Sequence, residues 1–347
     1  MSALCVIVPC RNEVAVIRRK LRNLALCEWP RTAARHRVLV IDDGSEDDTA
    51  LLALQEAERI APAPFTLEVL ANAVRPGKVG ALETALRAIG EADELIVLSD
   101  ADVVLSPQAL VALAAEFERD ARIGMVTGSQ VFVVSLADDG AIAGAEGRAL
   151  ATAGSFYDRA SAFVRMLESR FGLVFSMHGQ LMAWRRSLRL VPTSGVAADD
   201  LDLMLQARVA GARLVRCGAA RFYEVRAPRG EARRQQAIRR ARAFHQFLRH
   251  PRIGELRRSG SWLARRQASF YLQAGRARGP WALIALGSIF LAGWYSGPGS
   301  AMVVAALNAL LFLPAWVLLR IVRSRMEIAE ALEARSPMGE RWETARR

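Results

Sequence analysis

Four short apolar runs, each ending in a cluster of polar residues, restrict what this chain can fold into. They cover residues 3–9 (ALCVIVP), 36–41 (HRVLVI), 65–70 (FTLEVL) and 94–98 (ELIVL). The first and clearest is apolar at every position rather than at alternate ones, the pattern of a strand buried on both faces. Between and after the runs lie helical stretches: from beyond Glu13 to about residue 26, 48–59, 79–89, and 107–117 with Pro107 near its first turn. This alternation predicts an α/β fold, a mostly parallel sheet flanked by helices. With 347 residues, 52% of them apolar, the chain has room for one large domain plus additions.

Ligands of such sheets sit outside the carboxyl ends of the strands, and polar residues follow the strands at that place. Arg11, Asn12 and Glu13 follow the first strand. Asp42, Asp43, Gly44 and Ser45 close the second. Ser99-Asp100-Ala101-Asp102 closes the fourth. Carboxylates at i and i+2 suit a hard divalent cation such as Mg²⁺ or Mn²⁺, which takes oxygen ligands and bridges them to substrate phosphates. Taken alone, the pair reads equally well as a solvated acidic loop. No G-x-G-x-x-G follows the first strand and no G-x-x-x-x-G-K-[ST] occurs, which argues against the dinucleotide and P-loop modes.

Past residue 123 the pattern loosens. Residues 125–134 are predicted as a strand, 138–154 as a small-residue-rich loop and 156–170 as a helix. His178-Gly179-Gln180 leads through an apolar stretch to Arg185-Arg186. Asp199, Asp200 and Asp202 open a helix that runs to about Ala210 and stops at Gly211. Acids in a first turn are expected from the helix dipole alone, so one or two of these aspartates need no chemistry.

The net charge of +12 belongs to one segment: residues 226–278 hold fifteen arginines against two glutamates, and the rest of the chain is nearly neutral. Ala237, Ala241, Phe244, His245 and Leu248 share one helical face, as do Ala264, Ala268, Tyr271 and Leu272. Basic amphipathic helices suit a membrane surface. A solvated face and a nucleic-acid patch are the competing readings. The uncharged stretches that follow, 280–297 and 300–319, favour lipid and no nucleic acid. The second has the ~20 apolar residues of a spanning helix; the first is marginal. Arg276 and Arg278 before them, and Arg320, Arg323 and Arg325 after, put both flanks on the cytoplasmic side of a hairpin. A buried hairpin of a soluble protein is the other reading. Four cysteines without a C-x-x-C pair indicate free thiols in a reducing compartment, and no signal peptide is evident. The expected division is a catalytic domain over 1–225, interfacial helices over 226–279, a transmembrane hairpin over 280–323 and a cytoplasmic tail over 324–347.

Six motifs in order, VIVPCRNE (6–13), VIDDGSEDDT (40–49), RPGKVGAL (75–82), LSDAD (98–102), GQLMAWRR (179–186) and ADDLDL (198–203), resemble the family 2 glycosyltransferases over roughly residues 3–250. The resemblance implies a GT-A fold. It places Pro9, Arg11, Glu13, Asp42 and Asp43 at the donor nucleotide, with Gly77 and Lys78 closing over it and Gly179 and Gln180 at the nucleotide-sugar. Asp100 and Asp102 would engage Mg²⁺ or Mn²⁺ and the donor diphosphate, Asp102 as the more direct ligand. Asp200 matches the catalytic base and Asp199 a supporting acid; exchange of these roles, or a role for Asp202, stays open. His178 reads either as a substrate contact or as a structural histidine, Trp184 as packing, and Arg185-Arg186 as a structural basic pair.

Processive relatives carry Gln-x-x-Arg-Trp, where this chain has Gln236-Ala237-Ile238-Arg239-Arg240. The aromatic that would hold a polymer end is missing, and Arg239 and Arg240 are placed instead at the donor phosphates. Two membrane segments are also too few to build a channel. The expected enzyme is therefore a metal-dependent inverting transferase on the cytoplasmic face of a bacterial inner membrane. It would move a sugar from a nucleotide-sugar, a UDP-sugar first, to a lipid-linked or glycan acceptor of exopolysaccharide or glycolipid assembly. Membrane lipids and membrane partner subunits are its expected partners. A polymerising subunit with a separate channel and a catalytically silent membrane scaffold are the alternatives.

Overall fold

The computed structural model describes residues 2–141, 174, 177–194, 196, 199–225, 247, 250–260, 262, 264–265, 267–269, 291, 294 and 297–304. The four apolar runs form β1 (Leu4–Cys10), β2 (His36–Asp42), β3 (Phe65–Ala71) and β4 (Leu95–Ser99), with α1 (Ile17–Leu26), α2 (Thr49–Arg59) and α3 (Lys78–Ala88) as crossovers. There follow β5 (Val104–Leu105), α4 (Ala109–Arg119), β6 (Ile123–Val133), β7 (Leu181–Arg185), a 3₁₀ turn (Arg186–Leu188), α5 (Asp199–Val209), β8 (Arg213–Val225) and α6 (Pro251–Arg258). They build one eight-stranded sheet of order β3-β2-β1-β4-β7-β6-β8-β5.

Alternate side chains of β1, β2 and β4 point to opposite faces, and each face has its own core. Val6, Val8, Val38, Val40 and Val97 pack against Ile17, Leu21 and Leu24 of α1 and against α4. Cys5, Ile7, Leu39, Ile41, Ile96 and Leu98 pack against Ala81, Leu82 and Ala85 of α3, and against α5 and α6. Burial on both faces is why these strands read as continuous apolar runs. The four cysteines are buried and unpaired. Burial pushes the Cys5 and Cys27 thiols up to about 12, which makes them inert.

The expectation of parallel pairing holds for β3-β2-β1-β4. Beyond β4 the sheet is mixed: β7 runs antiparallel to β4 and β6, β8 runs parallel to β6, and β5 antiparallel to β8. β5, β7 and β8 were not legible as strands in the sequence. β8 interrupts its buried residues with half-buried Arg213 and Arg216 and exposed Gly218 and Arg221, and register shifts along β6 break the alternation that would reveal it.

The strand order fixes where a ligand can sit. The chain builds outward from β1 through β2 to β3, then returns to β1's other side with β4. The carboxyl ends of β1 and β4 therefore flank the switch point of the sheet, where a crevice opens.

Among the described residues no helix is long and apolar enough to cross a membrane. Most of 280–297 and 305–319 lies outside them, as do the expected helix at 156–170, most of the loop at 138–154, and most of 226–279. Of the positions described there, Trp262, Leu291, Trp294, Met302 and Val303 are large apolar residues that face outward.

Candidate active site

Asn12 adopts a left-handed φ of 53°, turns the chain out of β1, and ties it to the loop after β2. Its N–H donates to Ser45 Oγ at 3.0 Å and its Oδ1 accepts from the Glu46 N–H at 2.8 Å. The Glu13 N–H donates to Thr49 Oγ1 at 2.8 Å, and the Glu13 carbonyl accepts the N–H groups of Val16 and Ile17 as α1 begins. Pro9 lies buried within β1, opposite Ile41 of β2. The sequence places Asn12 among the polar residues after the first strand but does not reveal this role. Its only signal was a turn-prone residue at a strand's end.

The two aspartates after β2 have different surroundings. Asp42 accepts from the Ser45 N–H and hydroxyl and closes its own turn. Asp43 is buried; both of its oxygens accept the Gly77 N–H, at 3.0 and 2.8 Å, and it also accepts from Asn72 Nδ2. Arg11 Nη1 lies 3.7 Å from it. Gly77 has φ +107°, a conformation that a side chain would strain. The turn before α3 is thus gathered around one carboxylate, and Asp43 acts within the protein as the anchor of that turn. Asn72, which also donates to the Arg75 carbonyl, is a residue the sequence reading missed.

This anchoring sets Lys78, the first residue of α3, over the crevice. Its Nζ lies 2.8 Å from Asp100 Oδ1 at the end of β4 and 3.6 Å from Asp199 Oδ2 in the first turn of α5. The carboxylates hold the Lys78 ammonium well above the usual lysine range, overcoming the opposing effect of burial. Lys78 thus joins the Asp100 loop to the acid pair of α5.

Asp200 accepts the Leu201 N–H at 2.8 Å. Burial, with the charge of Asp199 beside it, pushes its carboxyl up to about 6, although Lys78 opposes the shift. Gly179 packs directly on it: a Cβ built there would come within 3.1 Å of the Asp200 Cβ and 3.4 Å of a carboxylate oxygen. The Gln180 carbonyl accepts the Asp100 N–H at 3.2 Å. The turn at 178–180 therefore touches both acid groups.

Asp202 is elsewhere. It is fully buried and accepts from the Thr193 N–H at 2.8 Å and Gln206 Nε2 at 2.9 Å, and it faces His250 Nε2 and Arg252 Nε, each at 3.3 Å. It fastens α5 to α6. The His178 ring stacks edge-on against Phe222, with centroids 5.7 Å apart, and the His178 backbone N–H donates to Thr127 Oγ1. Trp184 is fully buried in the core. Arg185 donates to the Phe117 and Ile123 carbonyls and lies over the Phe117 ring. Arg239 and Arg240 lie outside the described residues.

Asp102 occupies the turn two residues past Asp100, and both are partly exposed. Among the described residues no group of three or more His, Cys, Asp or Glu is placed to hold a metal. Two oxygen-donor side chains at a strand's end fit the ions that bind one or two carboxylates and complete their shell with phosphates and water.

The sheet reverses its order at β1 and β4, an acid pair ends β4, and a second acid pair faces it from a helix, an arrangement that fits the GT-A-like α/β fold. The chain belongs to glycosyltransferase family 2: the family described as "Glycosyltransferase like family 2" matches residues 2–243. Its structure is similar to the mannosyltransferase PcManGT from Pyrobaculum calidifontis, solved with GDP-Man and Mn²⁺ (TM-score 0.54, 24% identity, 89% of this chain and 87% of that one). It is also similar to S. aureus TarS residues 1–349, solved with UDP-GlcNAc (TM-score 0.54, 18% identity, 96% and 92%). No curated protein sequence is significantly similar.

Proposed function

We propose that the protein is a metal-dependent, inverting transferase that uses a nucleotide-sugar donor, with Asp200 as general base. The observation that carries this is the Lys78 bridge, which sets the acid pair of α5 across the crevice from Asp100. In this reading Pro9, Arg11, Glu13, Asp42, Asp43 and Gly77 shape the nucleotide site, and Asp100 and Asp102 hold Mg²⁺ or Mn²⁺. When bound, the metal offsets the charge that grows on the departing diphosphate. GDP-Man with Mn²⁺ and UDP-GlcNAc, bound by the two similar structures, are donors of the proposed class.

The acceptor hydroxyl gives its proton to the Asp200 carboxylate as its oxygen bonds to the anomeric carbon. The bond from that carbon to the diphosphate oxygen breaks, and its electron pair leaves with the nucleoside diphosphate. Attack opposite the leaving group inverts the centre. A base near 6 suits the task, because it is ionised at neutral pH yet holds a proton better than an ordinary aspartate.

The acceptor we propose is lipid-linked and worked on at the cytoplasmic membrane face. The arginine-rich segment, the uncharged stretches after it and the outward-facing Trp262, Trp294 and Met302 support this. The missing tryptophan after Arg239 supports addition of one sugar or a few over polymerisation. The test is nucleotide release from a panel of UDP- and GDP-sugars with Mg²⁺ or Mn²⁺, with and without a lipid extract. One donor should turn over, faster with lipid. Asp200→Asn should lose about 10²–10⁴-fold while still binding the donor. Normal transfer by that variant would remove Asp200 from the role.

A further inference from the structure

The chain has only two lysines, and both serve the Asp100–Asp102 loop. Lys78 reaches it from the crevice. Lys20 reaches it from beneath, out of α1, and is fully buried. Its Nζ donates to Ser99 Oγ at 2.6 Å and to the Val103 carbonyl at 3.1 Å. These are the residues immediately before and after Asp100-Ala101-Asp102. The Ser99 hydroxyl donates onward to the Gln180 carbonyl at 3.3 Å, the same oxygen that accepts the Asp100 N–H. Gln180 follows Gly179, which packs on Asp200.

An ammonium placed in a protein interior is strongly unfavourable unless its hydrogens find partners. The neighbouring inward positions of α1, Ile17, Leu21 and Leu24, show what packing alone selects. Lysine suits this place better than arginine because its charge is compact and its three donors can diverge.

We propose that Lys20 is a positioning residue for the metal- and diphosphate-binding loop. Its ammonium grips both ends of Asp100-Ala101-Asp102 and, through Ser99, locks the loop to the turn that supports Asp200. This rests on the reading that the loop binds metal and diphosphate. Burial pushes the Lys20 ammonium down to about 8, and Asp100 and Asp102 are among the groups that oppose the shift.

The test titrates Mn²⁺ into the full-length protein in the presence of UDP, following free Mn²⁺ by electron paramagnetic resonance, with thermal unfolding recorded alongside. The variants are Lys20→Met, which keeps the length and removes the donors, and Ser99→Ala, which keeps the ammonium and removes its relay. Positioning requires both to bind Mn²⁺ with UDP about 10-fold more weakly or worse. A purely electrostatic role gives the opposite sign: loss of a positive charge near a cation site tightens Mn²⁺ in Lys20→Met and leaves Ser99→Ala unchanged. That result overturns the proposal, as does reduced stability with wild-type Mn²⁺ affinity. Should Lys20→Met fail to fold, Ser99→Ala decides alone. Wild-type protein that binds no Mn²⁺ with UDP removes the metal reading and this inference together. Normal wild-type binding with unaltered variants removes only the role of Lys20.

Discussion

At the scale of single residues, the site is a balance of charges held close together. Asp200 must be ionised to act as base, and its carboxyl stands near 6 instead of in the usual aspartate range. Transfer should therefore fall as pH drops through about 6, and kcat/KM should show an acid limb there. Lys78 lowers that value through its charge. Lys78→Gln should move the limb to higher pH, which a pH profile of kcat/KM will read; a limb that stays in place would mean that Lys78 does not act on Asp200. Gly179 gives a steric test of the same group. The Cβ of Gly179→Ala would press on Asp200 at 3.1 Å. We expect kcat to fall about 10-fold from a displacement of a few tenths of an ångström, with little change in donor KM.

At the scale of elements, α5 holds the acid pair in its first turn and is pinned from that same turn by Asp202. That carboxylate accepts from the Thr193 N–H and Gln206 Nε2, lies 3.3 Å from His250 Nε2 and Arg252 Nε, and is fully buried. Asp202→Ala would leave buried partners without their anion, a loss of about 3–5 kcal/mol. The urea midpoint should drop, with the m-value little changed if unfolding stays two-state. Asp202→Asn should recover part of the loss, because it still accepts a hydrogen bond. On the other side of the crevice, the turn before α3 depends on Asp43 through the Gly77 N–H, so the position of Lys78 is set by a residue in β2's loop.

At the scale of the molecule, the catalytic half and the arginine-rich segment have separate charge characters. Arg257, Arg258 and Arg265 are exposed in the described part of that segment. Each arginine close to an anionic leaflet contributes about 1 kcal/mol. Initial rates on a lipid-linked acceptor should rise with the anionic-lipid fraction of the vesicles. Replacing these three arginines with glutamine should flatten that dependence, and a rate indifferent to lipid charge in the wild type would count against a membrane-surface role.

The sequence by itself determined β1, β2 and β4, because strands buried on both faces are apolar along nearly their whole length. It also marked the acids at the strand ends, because each apolar run stops abruptly at polar residues where the chain leaves the core. Three later strands escaped it, β7 among them, which showed only as a short apolar stretch. β5 is two residues long, and β8 is broken by arginines and irregular pairing, so neither leaves a periodic trace. Only the tertiary structure separated Asp200 from Asp202. Both sit in one helical turn with the same first-turn preference, and what divides them is the element each one faces: the Gly179 turn for Asp200, α6 for Asp202. It likewise revealed Lys20, whose partners lie some eighty residues away in the chain. A one-dimensional pattern records how a residue meets its own helix or strand. It does not record which distant group a buried charge will find.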